Sequence, residues 1–594
     1  MDAMRRRGPD NSEIYWGDGF ALGHQRLAII DCSAEANQPF RDATGRYLIS
    51  YNGEIYNYRE LRKELLAAGV ELRTNSDTEV LLELLVRRGW KETLSRVRGM
   101  FAFVLLDTRS GRILIGRDHF GQKPVYYSTE GGDLAVASSV VSVLALTGSR
   151  PPSAASYWSY MCVPGDRGTR GLMLPGATFF DGIHALPAGH VLEVSGDQVR
   201  VQRYFQPADL VDPELSARLS ATSQEDLLLE LRKRLEVAAA RHLVSDVPVG
   251  ILLSGGIDSS LVYWYASAIS DVTCFTKLSP SIESIPLDVV PELLKKRPNS
   301  CFFHVQKPGD YLGATCDFVA ESGFPPRWGT APAMTTLCSD ARRNGIPVLL
   351  GGDCADEYFG GYDHYESLFE QARYDDLGPL VGTDRTSPFY RREFMEPYET
   401  LQRDLRREIL ERLQFLSDRS EQYAQATLLQ DTTTFLQVCN LPHSDAYSMR
   451  ASVELRNPML DLDLVRFAVN LPISARADRH QSGHYGKVLM RELAEREIGR
   501  FVQCRKEGTR NYALQAANPE YWEFSKFSIK EILPIPENLS LRQALRLVHL
   551  EIFHRLFFCR QAEFLPDILT PAGLAFWQSA SGKEGGTMSS MSLP

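Results

Sequence analysis

Twelve residues constrain this chain more than any other stretch: Val249-Gly250-Ile251-Leu252-Leu253-Ser254-Gly255-Gly256-Ile257-Asp258-Ser259-Ser260. Good helix formers over Asp226–Leu243 lead into the apolar run Val247–Leu253, which stops at two glycines and a helix start. That order is how a buried strand of a parallel sheet reads, and Val348–Leu350, between Pro347 and the glycines at 351 and 352, is a second such strand. Paired glycines admit a ligand close to the backbone, Ser254, Ser259 and Ser260 offer hydroxyls, and a helix N-terminus adds partial positive charge. Asp258 would repel a bare phosphate, but it suits a divalent cation bridging carboxylate and phosphates, with oxygen-liganded Mg²⁺ the natural choice. An ordinary strand-turn-helix corner is the rival reading of the same residues.

After the second strand come Gly351-Gly352-Asp353-Cys354-Ala355-Asp356-Glu357. Strand C-termini of a parallel sheet share one edge, so this loop and the Ser254 loop are expected to face one crevice. Acids crowded between glycines call for a cation there, unless they form a solvated turn.

The 65 Lys and Arg against 75 Asp and Glu leave a net charge of −10, which argues against wrapping nucleic acid, where basic residues must neutralise phosphates. No apolar run approaches the roughly 20 residues of a spanning helix, and no secretion signal opens the chain, so a cytoplasmic protein without membrane contact is expected. Ten cysteines stand singly, which reads as reduced thiols without a zinc site.

Strand-like Ala21–Ile30, Tyr47–Tyr51, Phe101–Asp107 and Ile113–Gly116 alternate with two helix starts, a capping box at Ser76–Glu79 and a similar opening at Asn57 with Glu60. His190–Val194 and Gln198–Phe205 continue this α+β layer pattern. The expected division is a first domain over residues 1–205, a polar linker over 206–225, an α/β domain with a helical C-terminal part over 226–575, and a disordered tail over 576–594.

Ser254–Ser260 resembles the pyrophosphate loop of enzymes that split ATP between its α and β phosphates. Together with Gly351–Tyr362, read as GGDCADEYFGGY, it resembles the motifs of glutamine-dependent asparagine synthetases. Ser448-Met449-Arg450-Ala451-Ser452-Val453-Glu454-Leu455-Arg456-Asn457-Pro458-Met459-Leu460-Asp461 is similar to a further segment of that family, and Lys487-Val488-Leu489-Met490-Arg491 to another, with Met490 in place of leucine. The resemblance implies that ATP adenylates the side chain of aspartate, pyrophosphate leaves, and ammonia displaces AMP to give asparagine. It also implies roles. Ser254, Gly255, Gly256, Asp258 and Ser259 hold the ATP phosphates, Asp258 and Asp356 ligate Mg²⁺, and Leu252 and Gly352 lie against the nucleoside. Asp353 meets the intermediate and ammonia as a general base, and Lys487 meets pyrophosphate and the activated carboxylate. Bland rivals are an exposed helix charge for Lys487 and a structural ion pair for Glu454 with Arg456. Cys354 stands where a small residue such as glycine is usual and Gly351 where serine is common; the stretch after Phe275 departs from the family, which leaves the acceptor carboxylate open.

The first domain resembles the family's glutaminase, an N-terminal-nucleophile α/β/β/α fold, through Arg7–Asp10, Gly23–Asp31, Tyr51–Asn57, Ser76–Glu79 and Arg117–Pro124. By that resemblance Arg26, Glu54 and Asp77 bind the charged groups of glutamine, while Asn52 and Gly53 form the oxyanion hole. The family nucleophile is a cysteine directly after the initiator methionine. This chain begins Met1-Asp2-Ala3-Met4, with the first strand and its cysteine expected to be missing, so glutamine hydrolysis by the family mechanism is not expected. A misassigned start is one explanation. A natural ammonia-dependent or amine-cyclising enzyme acting on another carboxylate is a second, and a noncatalytic assembly protein a third. The family's frequent dimers make a homodimer an expectation.

Overall fold

The computed structural model describes every residue except 163–172, 279–284, 306–310, 328–329, 367–368, 370–386, 479, 504–517, 562–563 and 582–594. The first domain is built on a six-stranded antiparallel sheet, in the order Gln198–Arg203, His190–Ser195, Arg112–Arg117, Gly99–Asp107, Tyr47–Ile55 and Phe40–Arg41. A hairpin, Asn11–Gly17 with Phe20–Arg26, stands beside it. Helices Tyr58–Ala67 and Asp77–Arg96 bury Leu61, Leu65, Val80, Leu81 and Leu84 in one core with Ile49, Tyr51, Phe101 and Phe103 of the sheet. The 3.6-residue spacing of those leucines meets the two-residue alternation of the strands, which closes a helix-on-sheet layer.

Several expected boundaries shift for local reasons. The strand expected over Ala21–Ile30 stops at Arg26, whose guanidinium gathers the carbonyls of Ile30, Asp31 and Ser33 and turns the chain back. Ser76 does cap its helix, accepting from the Thr78 N–H, but the capping box is not formed: Glu79 accepts instead from the N–H groups of Arg73 and Thr74. Asn57 does not cap with its side chain; it joins to Arg96 and Arg98 of the next helix end. The strand expected over Val247–Leu253 is Val249–Leu252, because Ser245 bonds Val247 in a turn. Within 206–225, Pro207–Leu210 and Pro213–Ser220 are helical.

The second domain carries a five-stranded parallel sheet, in the order Cys301–Val305, Thr273–Leu278, Val249–Leu252, Val348–Leu350 and Glu454–Arg456. Helices Gln224–His242 and Ile257–Ala266 supply Leu231, Leu235, Leu261 and Val262 to the core beside Ile251 and Leu350. The C-terminal part is helical, and Leu541–Phe557 buries Phe553 against Phe179 and Phe180 of the first domain. Helix Pro571–Ser581 covers the start of the stretch expected as a tail, whose later residues lie outside those described. Among the described residues no helix is long and apolar enough to cross a membrane.

Candidate functional site

Two constellations emerge, one per domain. In the second, the loop after Val249–Leu252 closes on itself: the Ser254 N–H donates to Ser259 Oγ at 3.2 Å and the two hydroxyls lie 2.9 Å apart. Gly255 sits at φ +77°, left-handed backbone open to glycine, and Gly256 opens helix Ile257–Ala266. Leu252, the last strand residue, is buried in a core with Phe275. Gly352 brings the acidic loop onto this corner so closely that a Cβ there would stand 2.6 Å from the Ser259 nitrogen. The two loops therefore do share one edge.

Lys487 enters that edge from the chain just before helix Val488–Glu497 and sets Nζ 2.5 Å from Asp258 Oδ2 and 2.6 Å from Asp356 Oδ1. Its backbone is itself left-handed, φ +56°, held by its N–H to the Phe359 carbonyl. A Cβ at Gly361 would meet Asp356 Oδ1 and Lys487 Cε, so a larger residue there would have to displace these side chains. Lys487 is thus a buried ion-pair partner, not an exposed helix charge. Asp258 Oδ1 is buried without a hydrogen-bond partner among the described residues. Two converging carboxylates with a spare oxygen, beside a loop of backbone N–H groups and hydroxyls, fit a divalent cation.

Asp353 lies at the same loop, 3.4 Å from Ser444 Oγ. Cys354 has φ +80°, which accounts for the glycine usual at that position, and burial pushes its thiol well up. The stretch after Phe275 falls partly on undescribed residues.

In the first domain Arg26, Asn52, Gly53, Glu54 and Asp77 all line one cavity of about 460 Å³. Gly53 has φ +149° and lies so near the Met100 carbonyl that no Cβ fits. Asn52 Nδ2 and Glu54 Oε2 are buried without partners among the described residues, a donor and an acceptor facing a polar ligand's space. Asp77 Oδ2 accepts from Tyr51 Oη at 2.8 Å and the Ile55 N–H at 2.9 Å, and burial pushes its carboxyl up to about 6. None of the described residues lining the cavity is a cysteine.

One feature went unforeseen from sequence: the cavity reaches the second domain through Met449 and Glu454. Arg456 spans the junction, with Nε 2.9 Å from Glu454 Oε1 and Nη2 3.2 Å from Glu54 Oε1, while Lys123 Nζ lies 3.1 Å from Glu454 Oε2. Burial disfavours the Glu454 carboxylate, but Lys123 and Arg456 outweigh it and hold its pKa below the usual range; at Glu54 burial wins and the carboxyl is raised. The only signal for this junction is charge in a buried strand, Glu454-Leu455-Arg456.

The molecule is thus a two-domain α/β protein in which an antiparallel-sheet domain with a polar cavity is joined by buried charges to a parallel-sheet domain that carries a glycine- and hydroxyl-lined corner. Residues 1–205 match the glutamine amidotransferase domain, and residues 230–524 match asparagine synthase. Asparagine synthetase [glutamine-hydrolyzing] 3 of Bacillus subtilis is 28% identical over 82% of this chain and 80% of its own length. Asparagine synthetase B of Escherichia coli is 30% identical over 61% of this chain and 60% of its own, and amidase chry2 of Gibberella zeae 31% identical over 65% and 58%. The matched region thus spans four-fifths of the first relative and about three-fifths of the others. The chain carries a glutamine amidotransferase domain followed by an asparagine synthase domain and is homologous to glutamine-hydrolysing asparagine synthetases, a family that uses ATP.

Proposed function

We propose that the protein amidates aspartate to asparagine through an aspartyl-adenylate, releasing AMP and pyrophosphate, with ammonia as nitrogen donor. The observation that carries this reading is Lys487 held between Asp258 and Asp356 at the foot of the Ser254–Ser259 corner. A substrate carboxylate oxygen attacks the α phosphorus and the bond to pyrophosphate breaks. The loop N–H groups and hydroxyls of Ser254 and Ser259 hold the phosphates, and Lys487 meets the departing negative charge. Mg²⁺, when bound by Asp258 and Asp356, neutralises phosphate charge. Ammonia then attacks the acyl carbon, Asp353 accepts a proton, and AMP leaves.

The first-domain cavity takes glutamine, with Arg26 and the carboxyls of Glu54 and Asp77 for its charged ends and Asn52 and Gly53 for its amide oxygen. In this reading free ammonia supplies the nitrogen. The test is pyrophosphate and asparagine formation by the purified chain with ATP, Mg²⁺ and aspartate, comparing ammonium with glutamine. Product with ammonium supports the reading; pyrophosphate release only with another carboxylate replaces aspartate. The amidase-named relative favours that second outcome as the rival.

A further inference from the structure

Arg456 has atoms that reach both constellations. Its side chain is fully buried at the domain junction, where Nη1 donates to the carbonyls of His242 at 2.9 Å and Val244 at 2.6 Å and Nε pairs with Glu454. The remaining nitrogen, Nη2, lies 3.2 Å from Glu54 Oε1 but makes no aligned hydrogen bond. Of the four contacts this one is the easiest to surrender, because it is an ion pair without the directional bond that the others have.

The backbone of the same residue serves the other site. Glu454–Arg456 is a three-residue edge strand with one neighbour, Val348–Leu350, and the Gly351 N–H donates to the Arg456 carbonyl at 2.8 Å. Gly351 begins the acidic loop, and Gly352 presses on the Ser259 backbone with no room for a Cβ. A shift of the edge strand at Arg456 therefore displaces Gly351, then Gly352, then the start of the helix that bears Asp258.

We propose that Arg456 is a positioning residue that couples occupancy of the first-domain cavity by an amino acid's ammonium group to the acidic loop of the second domain. The inference rests on the amidotransferase–synthetase reading of the two sites and goes beyond it. Two arrangements define the coupling. In one, Arg456 is shared between Glu54 and Glu454. In the other, a ligand ammonium satisfies the free Glu54 Oε2, weakens that carboxylate's hold on Nη2, and leaves Arg456 to Glu454 and the two carbonyls. Linkage makes the effect reciprocal: a nucleotide that fixes the acidic loop changes amino-acid affinity in the cavity by the same factor.

The test uses the full chain and calorimetric binding of glutamine, with and without saturating α,β-methylene-ATP and Mg²⁺, so that no turnover intervenes. The wild-type affinity is expected to change by at least about fivefold when the analogue is present. In Arg456→Lys and in Glu54→Gln that ratio is expected to fall to near one, whatever happens to glutamine affinity itself, a readout that a purely structural role would not move. Glu54→Gln decides alone if Arg456→Lys does not fold. A wild-type ratio of one, an unchanged ratio in the variants, or no glutamine binding overturns the proposal. Pyrophosphate release with aspartate and ammonium is measured in parallel, since it judges the synthetase reading independently of the coupling.

Discussion

Lys487 Nζ stands 2.5 Å from Asp258 Oδ2, across 229 positions of sequence. The lysine holds two carboxylates that would otherwise repel each other, and its charge lies where pyrophosphate departs in the proposed reaction. Lys487→Met is expected to lower ATP–pyrophosphate exchange by at least about 100-fold, the scale of losing one preorganised charge at a transition state. The same variant should bind Mn²⁺ more tightly without nucleotide, because no ammonium competes for Asp258 and Asp356. Exchange at the wild-type rate would remove Lys487 from the chemistry.

Gly352→Ala tests the junction of the two loops. The added Cβ meets backbone, the Ser259 nitrogen at 2.6 Å and Cα at 2.9 Å, so no side-chain rotation relieves it. Overpacking of this kind costs about 1–3 kcal/mol. The expected result is a raised KM for ATP with the circular dichroism spectrum unchanged; an unaltered KM would place ATP elsewhere.

The Lys123–Glu454 pair is buried on both sides, with side-chain exposures of 2% and 6%. Lys123→Met removes one of the two cations that face Glu454 and leaves it with Arg456 alone, so the expected destabilisation is smaller than the about 3–5 kcal/mol of a fully stranded buried charge. Adding Glu454→Gln should recover much of that loss in denaturant unfolding. A double variant as unstable as the single one would show that the lysine acts by packing alone.

Asp77 gives a pH signature. Burial raises its folded pKa to about 6 against the bonds from Ile55 and Tyr51, so the unfolded chain ionises first as pH rises. The associated stability is complete below the ordinary carboxylate range and is lost as pH climbs to about 6, on the order of 3 kcal/mol. Asn at 77 can still accept both hydrogen bonds and never ionises. Asp77→Asn should therefore gain on the wild type between pH 4 and 6, with a constant gap above that, in unfolding midpoints measured from pH 4 to 8. A gap that does not change with pH would mean that Asp77 ionises normally in the fold.

The sequence by itself determined the local pieces of both sites. Apolar strands running into Gly255 and Gly352 and the hydroxyls of Ser254 and Ser259 are short-range patterns that periodicity and glycine placement make legible, while Asn52, Gly53, Glu54 and Asp77 stood out only through their resemblance to the glutaminase motifs. Element ends were less so, because they depend on where side chains find partners: Arg26 ends a strand by collecting carbonyls, and Glu79 leaves its own cap for Arg73 and Thr74. Only the tertiary structure decided which charges meet. Lys487 with Asp258, and Arg456 with Glu54, are pairings between residues far apart in the chain, whereas the Glu454–Arg456 pair, two residues apart on one strand, was open to sequence reading. Burial makes such charges choose partners within about 3 Å, and which partners lie that near is fixed by the packing of two sheets and their junction, not by any local pattern.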